Sequence, residues 1–194
     1  MHVGLFGGSF NPPHLGHLVV AEALREACGL DRVIWMVAAQ PPHKIGQALA
    51  PPEDRLEMAH RAIAGHPHFV VSDLEVRRAA EKGGPSYTVD TLRQLTGALP
   101  LVRWSLLVGE DSLAAFHTWR EPHEILQMAQ LVVYRRAGTD ASAAPMRPFA
   151  HVVEAGRIDV SSTELRERLR AGQSTRYLLP DAVSAYVAAR GLYR

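Results

Sequence analysis

Gly7-Gly8-Ser9-Phe10-Asn11-Pro12-Pro13-His14-Leu15-Gly16-His17 follows an apolar run, Val3 to Phe6, and precedes an amphipathic pattern, Leu18 to Cys28. The run reads as a first β-strand and the pattern as a helix. Two glycines at the turn between them let the backbone approach a ligand closely. The helix N-terminus beyond offers free N–H groups to an anion. His14 and His17 lie three apart and share a face if the first turn is helical. The stretch therefore reads as a phosphate site with two imidazoles that can bear on reacting oxygens. It lacks the Lys-Ser/Thr ending of a P-loop and the G-x-G-x-x-G of dinucleotide folds.

Outward from this turn, strands and helices alternate. Strands are expected at Arg32 to Val37, Phe69 to Ser72, Val102 to Val108, Leu131 to Tyr134 and, briefly, His151 to Val153. Helices are expected over His14 to Cys28, ended by Gly29, and over Glu53 to Ala64, ended by Gly65. Val89 to Leu95 follows with Thr88 as a cap, then Pro122 to Met128 with proline at its start. A Pro-rich loop runs to Pro52, a polar loop from Ser72 to Pro85, and a further loop from Thr139 to Phe149. Ser161-Ser162-Thr163-Glu164 matches a capping box opening a helix to about Arg170, and Pro180 to Arg190 reads as a last helix. This alternation predicts an α/β fold: a doubly wound, Rossmann-like parallel sheet with helices on both faces and a small C-terminal helical extension. Residues 1–194 are expected to form one domain, with a helical subdomain over about 161–194. Right-handed crossovers would gather the loops after the strands at one sheet edge.

Composition narrows the class. The chain has 194 residues, 47% of them hydrophobic and 21% charged, as in ordinary globular domains. A formal net charge of +1 gives no case for nucleic acid or an anionic membrane. The single cysteine, Cys28, excludes an intrachain disulfide and suits a reducing cytosol; among apolar neighbours it reads as a buried thiol. No apolar run reaches the length of about 18 residues that a membrane span needs. The first strand begins at once, so no signal peptide and a cytoplasmic location are expected.

Other residues can carry chemistry. His43 and Lys44, after two stiffening prolines, offer positive charge to a phosphate. Ser86, Tyr87 and Thr88 precede a helix whose N–H groups would attract a carboxylate. An acidic residue in Gly109-Glu110-Asp111-Ser112, past the strongest strand, can bond a ribose hydroxyl. Trp119 lies outside any strand and can stack a flat ring, whereas Trp35 and Trp104 read as core. Arg135 and Arg136 close a strand at the expected crevice. Arg166, three residues after Thr163, shares a helix face with the hydroxyls of Ser162 and Thr163. His60, His66 and His68 lack the carboxylates or thiols of a metal site and read as surface.

The run Gly7 to His17 resembles that of the nucleotidyltransferase superfamily, and most closely the bacterial nicotinate-nucleotide adenylyltransferases. The resemblance runs from Phe6 to Arg194. It includes Pro-Pro-His-Lys, Pro-Ser-Tyr-Thr, Gly-x-Asp-Ser, Trp119 and a late Ser-Ser-Thr-x-x-Arg motif, in family order. It implies adenylyl transfer from ATP to nicotinate mononucleotide, giving deamido-NAD and pyrophosphate, a step of NAD biosynthesis. It implies that Gly7, Gly8, Ser9, Phe10, His14, His17, Gly109, Asp111, Ser162, Thr163 and Arg166 bind ATP. Lys44 and Arg136 would hold the mononucleotide phosphate, Ser86 to Thr88 the pyridine carboxylate, and Trp119 the nicotinate ring. His14, His17 and Arg166 would be catalytic, and Mg2+ would arrive on the triphosphate with few or no protein ligands. The partners implied are the two nucleotides, with a homo-oligomer compatible and neither nucleic acid nor membrane. Asn11 departs from the family, which commonly has Asp there. The rival readings are an adenylyltransferase acting on nicotinamide mononucleotide or pantetheine phosphate, and a non-catalytic nucleotide-binding module.

Overall fold

Six strands form one sheet in the order β3-β2-β1-β4-β5-β6, every neighbouring pair parallel, in a computed structural model that describes residues 1–44, 46–135, 142–155 and 159–194. The strands are β1 (His2–Gly8), β2 (Arg32–Val37), β3 (Phe69–Ser72), β4 (Arg103–Gly109), β5 (Gln130–Arg135) and β6 (Ala150–Glu154). The chain winds outward through β2 and β3 on one side of β1, and through β5 and β6 on the other side of β4. The switch therefore falls between β1 and β4, where such folds place ligands.

Alternation along each strand builds two cores. Val3, Leu5, Trp104, Leu106, Leu131 and Val133 face α4 (Thr88–Ala98) and α6 (Pro122–Met128). Phe6, Val33, Trp35, Val37, Leu107 and Val132 face α1 (Leu15–Ala27) and α2 (Pro52–Ala62). Burial on both faces is why these strands read as continuous apolar runs. A third cluster joins Met58 of α2 to Leu165 of α7 (Ser162–Arg170) and Val183 and Val187 of α8 (Asp181–Arg190). Buried Asp54 of α2 ties the same helices, accepting from the Tyr186 hydroxyl at 2.7 Å and Arg190 at 3.1 Å.

Several expectations need correction. The stretch after β3 is not a loop: α3 (Leu74–Lys82) occupies it, and its few apolar residues suffice because it lies at the β2 side of the sheet. A second helix, α5 (Glu110–Ala115), follows β4 directly. Thr88 opens α4 rather than capping it; Tyr87 holds the cap position. Ser161 does cap α7, its hydroxyl accepting the Glu164 N–H at 3.1 Å. Trp35 and Trp104 are core, but Cys28 is only half-buried; burial still pushes its thiol up.

At the N-terminal ends of β1 and β4, buried His2 sits between Ser105 Oγ at 2.8 Å and Arg103 at 2.5 Å. Arginine cannot accept, so Nδ1 accepts from it and Nε2–H donates to Ser105. Burial and the Arg103 charge hold His2 below its ordinary pKa of about 6.5. A depressed folded pKa contributes stability that is complete above the unfolded value and is lost as pH falls through the folded one. Wild type should therefore lose Tm from pH 7 to 5 more steeply than His2→Gln; equal slopes would remove His2 from the acid response.

Candidate active site

The C-terminal ends of β1 and β4 open onto the loop that begins at Gly7. A Cβ at Gly7 would meet nothing within 4 Å, so the backbone there is open to a ligand. At Gly8 a Cβ would lie 3.0 Å from the Phe10 ring. Phe10 itself takes a left-handed backbone, φ 45°, and is buried against Trp35, rings stacked at 4.9 Å. This strained residue is held by core packing, which fixes the loop on the sheet. The Asn11–Pro12 peptide is cis.

His14 takes the N-cap position of α1 and is buried. Its N–H donates to His17 Nδ1 at 3.2 Å, and the two rings lie 3.8 Å apart, centre to centre. A ring that accepts at Nδ1 carries its proton at Nε2 when neutral, so His17 is set as an Nε2–H donor. Its side is packed edge-on against Phe10 and Phe6. Sequence spacing put both imidazoles on one face, and the structure brings them together.

Three cations converge on the same loop. Lys44, in a short 3-10 turn after β2, donates to Ser9 Oγ at 2.9 Å. Arg166 of α7 donates to the Asn11 carbonyl at 2.9 Å and to Thr163 Oγ1 at 3.2 Å. Arg55 of α2, 1% exposed, gives its guanidinium to the carbonyls of Ala50, Ser9, Ala38 and Ala39 at 2.5–3.0 Å. Among the described residues none of the three forms an ion pair with a carboxylate. The electrostatic consequence is visible at Lys44, whose amine is pushed down by burial and by the charges of Arg166 and Arg55. Ser162 closes the loop, donating to the Pro12 carbonyl at 2.9 Å. Arg55 escaped sequence reasoning because it sits in an amphipathic helix where an arginine ordinarily faces solvent.

Asn11 is buried and uses its side-chain oxygen twice, accepting from the Ala50 N–H at 3.0 Å and the Tyr193 hydroxyl at 2.8 Å. Its side-chain nitrogen has no hydrogen-bond partner among the described residues. An aspartate there would instead put a carboxylate among the three cations.

A second group of residues gathers beyond Lys44. Ser86 is buried, accepts the Ala39 N–H at 3.1 Å, and donates its own N–H to Gln40 at 2.9 Å. Tyr87 and Thr88 lead into α4, and the Arg120 guanidinium lies 5.0 Å from the Tyr87 ring centre. That contact joins the segment to Trp119, which is half-buried and rests on Phe116 at 5.0 Å. Across the switch point, Gly109 caps α5, and Tyr134 packs so close that a Cβ at Gly109 would meet its ring at 3.1 Å. Asp111 is exposed in the first turn of α5. Buried Glu110 and exposed Glu154 occupy Arg135, at 3.3 and 2.7 Å. Arg136 lies outside the described residues. His66 pairs with Glu22 at 3.2 Å, and among the described residues no group of three or more His, Cys, Asp or Glu could hold a metal.

A cytidylyltransferase-like family model matches residues 5–168. A protein of Salinibacter ruber named as a probable nicotinate-nucleotide adenylyltransferase is 47% identical, covering 100% of this chain and 98% of its own. One of Thermus thermophilus, with the same name, is 44% identical over the full length of both chains. Among solved structures, the nicotinic acid mononucleotide adenylyltransferase of Plasmodium falciparum, complexed with NaAD, shares the fold. Its TM-score is 0.80 at 17% identity, covering 99% of this chain and 97% of that one. The same enzyme complexed with APC gives a TM-score of 0.78 at 16% identity, covering 99% and 96%. Matched by the family model over most of its length and by its relatives from end to end, this chain belongs to the cytidylyltransferase-like family and, within it, to the nicotinate-nucleotide adenylyltransferases.

Proposed function

We propose that the protein transfers the adenylyl group of ATP to nicotinate mononucleotide, releasing pyrophosphate and forming deamido-NAD. The observation that carries this reading is the convergence of Lys44, Arg55 and Arg166 on one glycine-rich loop without carboxylate partners among the described residues. Such a site is complementary to a polyanion. A mononucleotide phosphate oxygen attacks the α-phosphorus, a new P–O bond forms, and the bond to the β-phosphate bridging oxygen breaks. The reaction needs little covalent help, so positioning and charge stabilisation supply the rate.

His17 Nε2–H bears on the α-phosphate, where charge develops. His14 sits beside it on the triphosphate. Arg166 takes the leaving pyrophosphate, joined by the Ser162 and Thr163 hydroxyls, and exchanges its bond to the Asn11 carbonyl for one to phosphate oxygen. Lys44 neutralises the attacking phosphate, with Arg136 assigned the same task. Gly7, Gly8, Ser9 and Phe10 shape the ATP side, and Gly109 and Asp111 meet the adenosine. A magnesium ion entering as part of the ATP substrate would neutralise phosphate charge from phosphate oxygens, since the loop offers the Asn11 amide where a carboxylate ligand would be needed. Among the described residues no helix is long and apolar enough to cross a membrane. Cytoplasmic operation of a single domain, with its helical part over about 161–194, completes the reading.

The experiment is pyrophosphate release from magnesium-ATP with nicotinate mononucleotide, nicotinamide mononucleotide and pantetheine phosphate as acceptors. The acid should exceed the amide by at least about tenfold in kcat/KM, because the Tyr87–Thr88 helix start favours a carboxylate and leaves donors unpaired against an amide. Pantetheine phosphate should give no turnover. Equal constants for acid and amide, or comparable turnover of pantetheine phosphate, would overturn the substrate assignment.

Trp119 gives a second test of the acceptor side. Trp119→Ala should weaken the mononucleotide by about 1–3 kcal/mol, the value of a base stacked on an aromatic ring, and leave ATP unchanged. Equal weakening of both substrates would make Trp119 a packing residue only.

A further inference from the structure

Glu75 stands in the first turn of α3, 7% exposed, in a helix that no part of the proposed reaction uses. Its carboxylate accepts the Thr91 hydroxyl at 2.7 Å, and the same hydroxyl oxygen lies 3.3 Å from the Tyr87 carbonyl. The Thr91 oxygen in turn accepts Arg78 Nη2 at 2.8 Å, which leaves its proton for Glu75. Ser86 accepts the Ala39 N–H, and its own N–H is held by Gln40. One buried carboxylate thus holds Thr91, one turn after Tyr87–Thr88 and against the Tyr87 carbonyl, in the segment whose Ser86 fastens the loop that follows β2. Burial pushes the Glu75 carboxyl up, and the neighbouring Thr91 and Ser86 side chains and the charge of Arg78 oppose that shift. An apolar side chain would fill the same space without aligning the Thr91 hydroxyl.

We propose that Glu75 is the positioning residue of the acceptor side: it sets the Ser86–Thr88 segment that reads the pyridine substituent, without touching substrate. This rests on the assignment of that segment under the proposed function. Glutamine in place of Glu75 keeps the shape but replaces the charged acceptor of the Thr91 hydroxyl with a neutral one and exchanges one acceptor oxygen for an NH2 donor. A group bonded to a charged partner loses more than one bonded to a neutral partner.

The test measures KM for nicotinate mononucleotide and for ATP, acid-to-amide preference, and Tm in wild type, Glu75→Gln and Thr91→Val. Both variants are expected to raise the mononucleotide KM by about tenfold or less, Glu75→Gln more than Thr91→Val, with ATP KM within about twofold and acid preference reduced. A Tm drop with both KM values unchanged, or with both raised alike, overturns the proposal and leaves Glu75 structural. If Glu75→Gln does not fold, Thr91→Val decides by the same criteria. Wild type that does not turn over nicotinate mononucleotide at all defeats the proposed function instead, so the two failures are distinct.

Discussion

Replacing His17 by alanine is expected to lower kcat by about 10²–10³ while the protein still folds. The expectation follows from how the ring is held. Its Nδ1 accepts the His14 N–H at 3.2 Å, so the proton sits on Nε2, and its edges are fixed by Phe6 and Phe10. A donor placed before the reaction pays no reorganisation when charge develops on the α-phosphate, and its loss is felt mainly in kcat. The structural cost is small: one helix-cap acceptor, about 1 kcal/mol, at a half-exposed position. Steady-state pyrophosphate release and a thermal melt decide the matter together. A near wild-type kcat with unchanged Tm rejects the role given to His17; a collapsed Tm would show that the ring is first of all part of the loop's packing.

What the sequence made legible follows from what is local. Arg32–Val37 and Phe69–Ser72 lie in the structure where their apolar runs put them: β2 is an inner strand covered on both faces, and at the edge strand β3 the run Phe69-Val70-Val71 suffices although Val70 is exposed. The turn at Gly7–His17 was legible for the same reason: glycine positions and an i, i+3 histidine pair are short-range signals. Helix α3 was not. Leu74-Glu75-Val76 followed by Arg77 and Arg78 reads as polar, and its helical state depends on packing against a sheet whose edge lies elsewhere in the sequence. Helix α5 was hidden because it is six residues long and begins at Glu110 directly after β4 ends at Gly109, with no linker between them. The supports of the site were hidden most thoroughly. Arg55 meets carbonyls 5 to 46 positions away, and Tyr193 meets Asn11 across 182. No periodicity records such pairings.

Arg55→Met should be the most destabilising single change near the site, by about 3–5 kcal/mol, or a fall in Tm of about 10 °C. The guanidinium serves four carbonyls that turn inward from three places: Ser9 in the phosphate loop, Ala38 and Ala39 after β2, and Ala50 before α2. Methionine fills the volume but leaves all four without a donor, and buried carbonyls without donors are costly. Arg55→Lys should recover only part of the loss, because an ammonium is a point donor and cannot span carbonyls arranged around a planar fork. The charge matters as well as the shape. Arg55 lies beneath the loop that Lys44 and Arg166 also meet, and it helps push the Lys44 amine down in the absence of an anion. Binding of a triphosphate relieves that repulsion, so ATP should raise the Tm of wild type by more than it raises that of Arg55→Met. Thermal melts of the three proteins with and without magnesium-ATP test both halves. A Met variant that melts within about 2 °C of wild type would show that the carbonyls find other donors. An equal ATP-induced shift in wild type and variant would show that the buried charge does not act on the nucleotide.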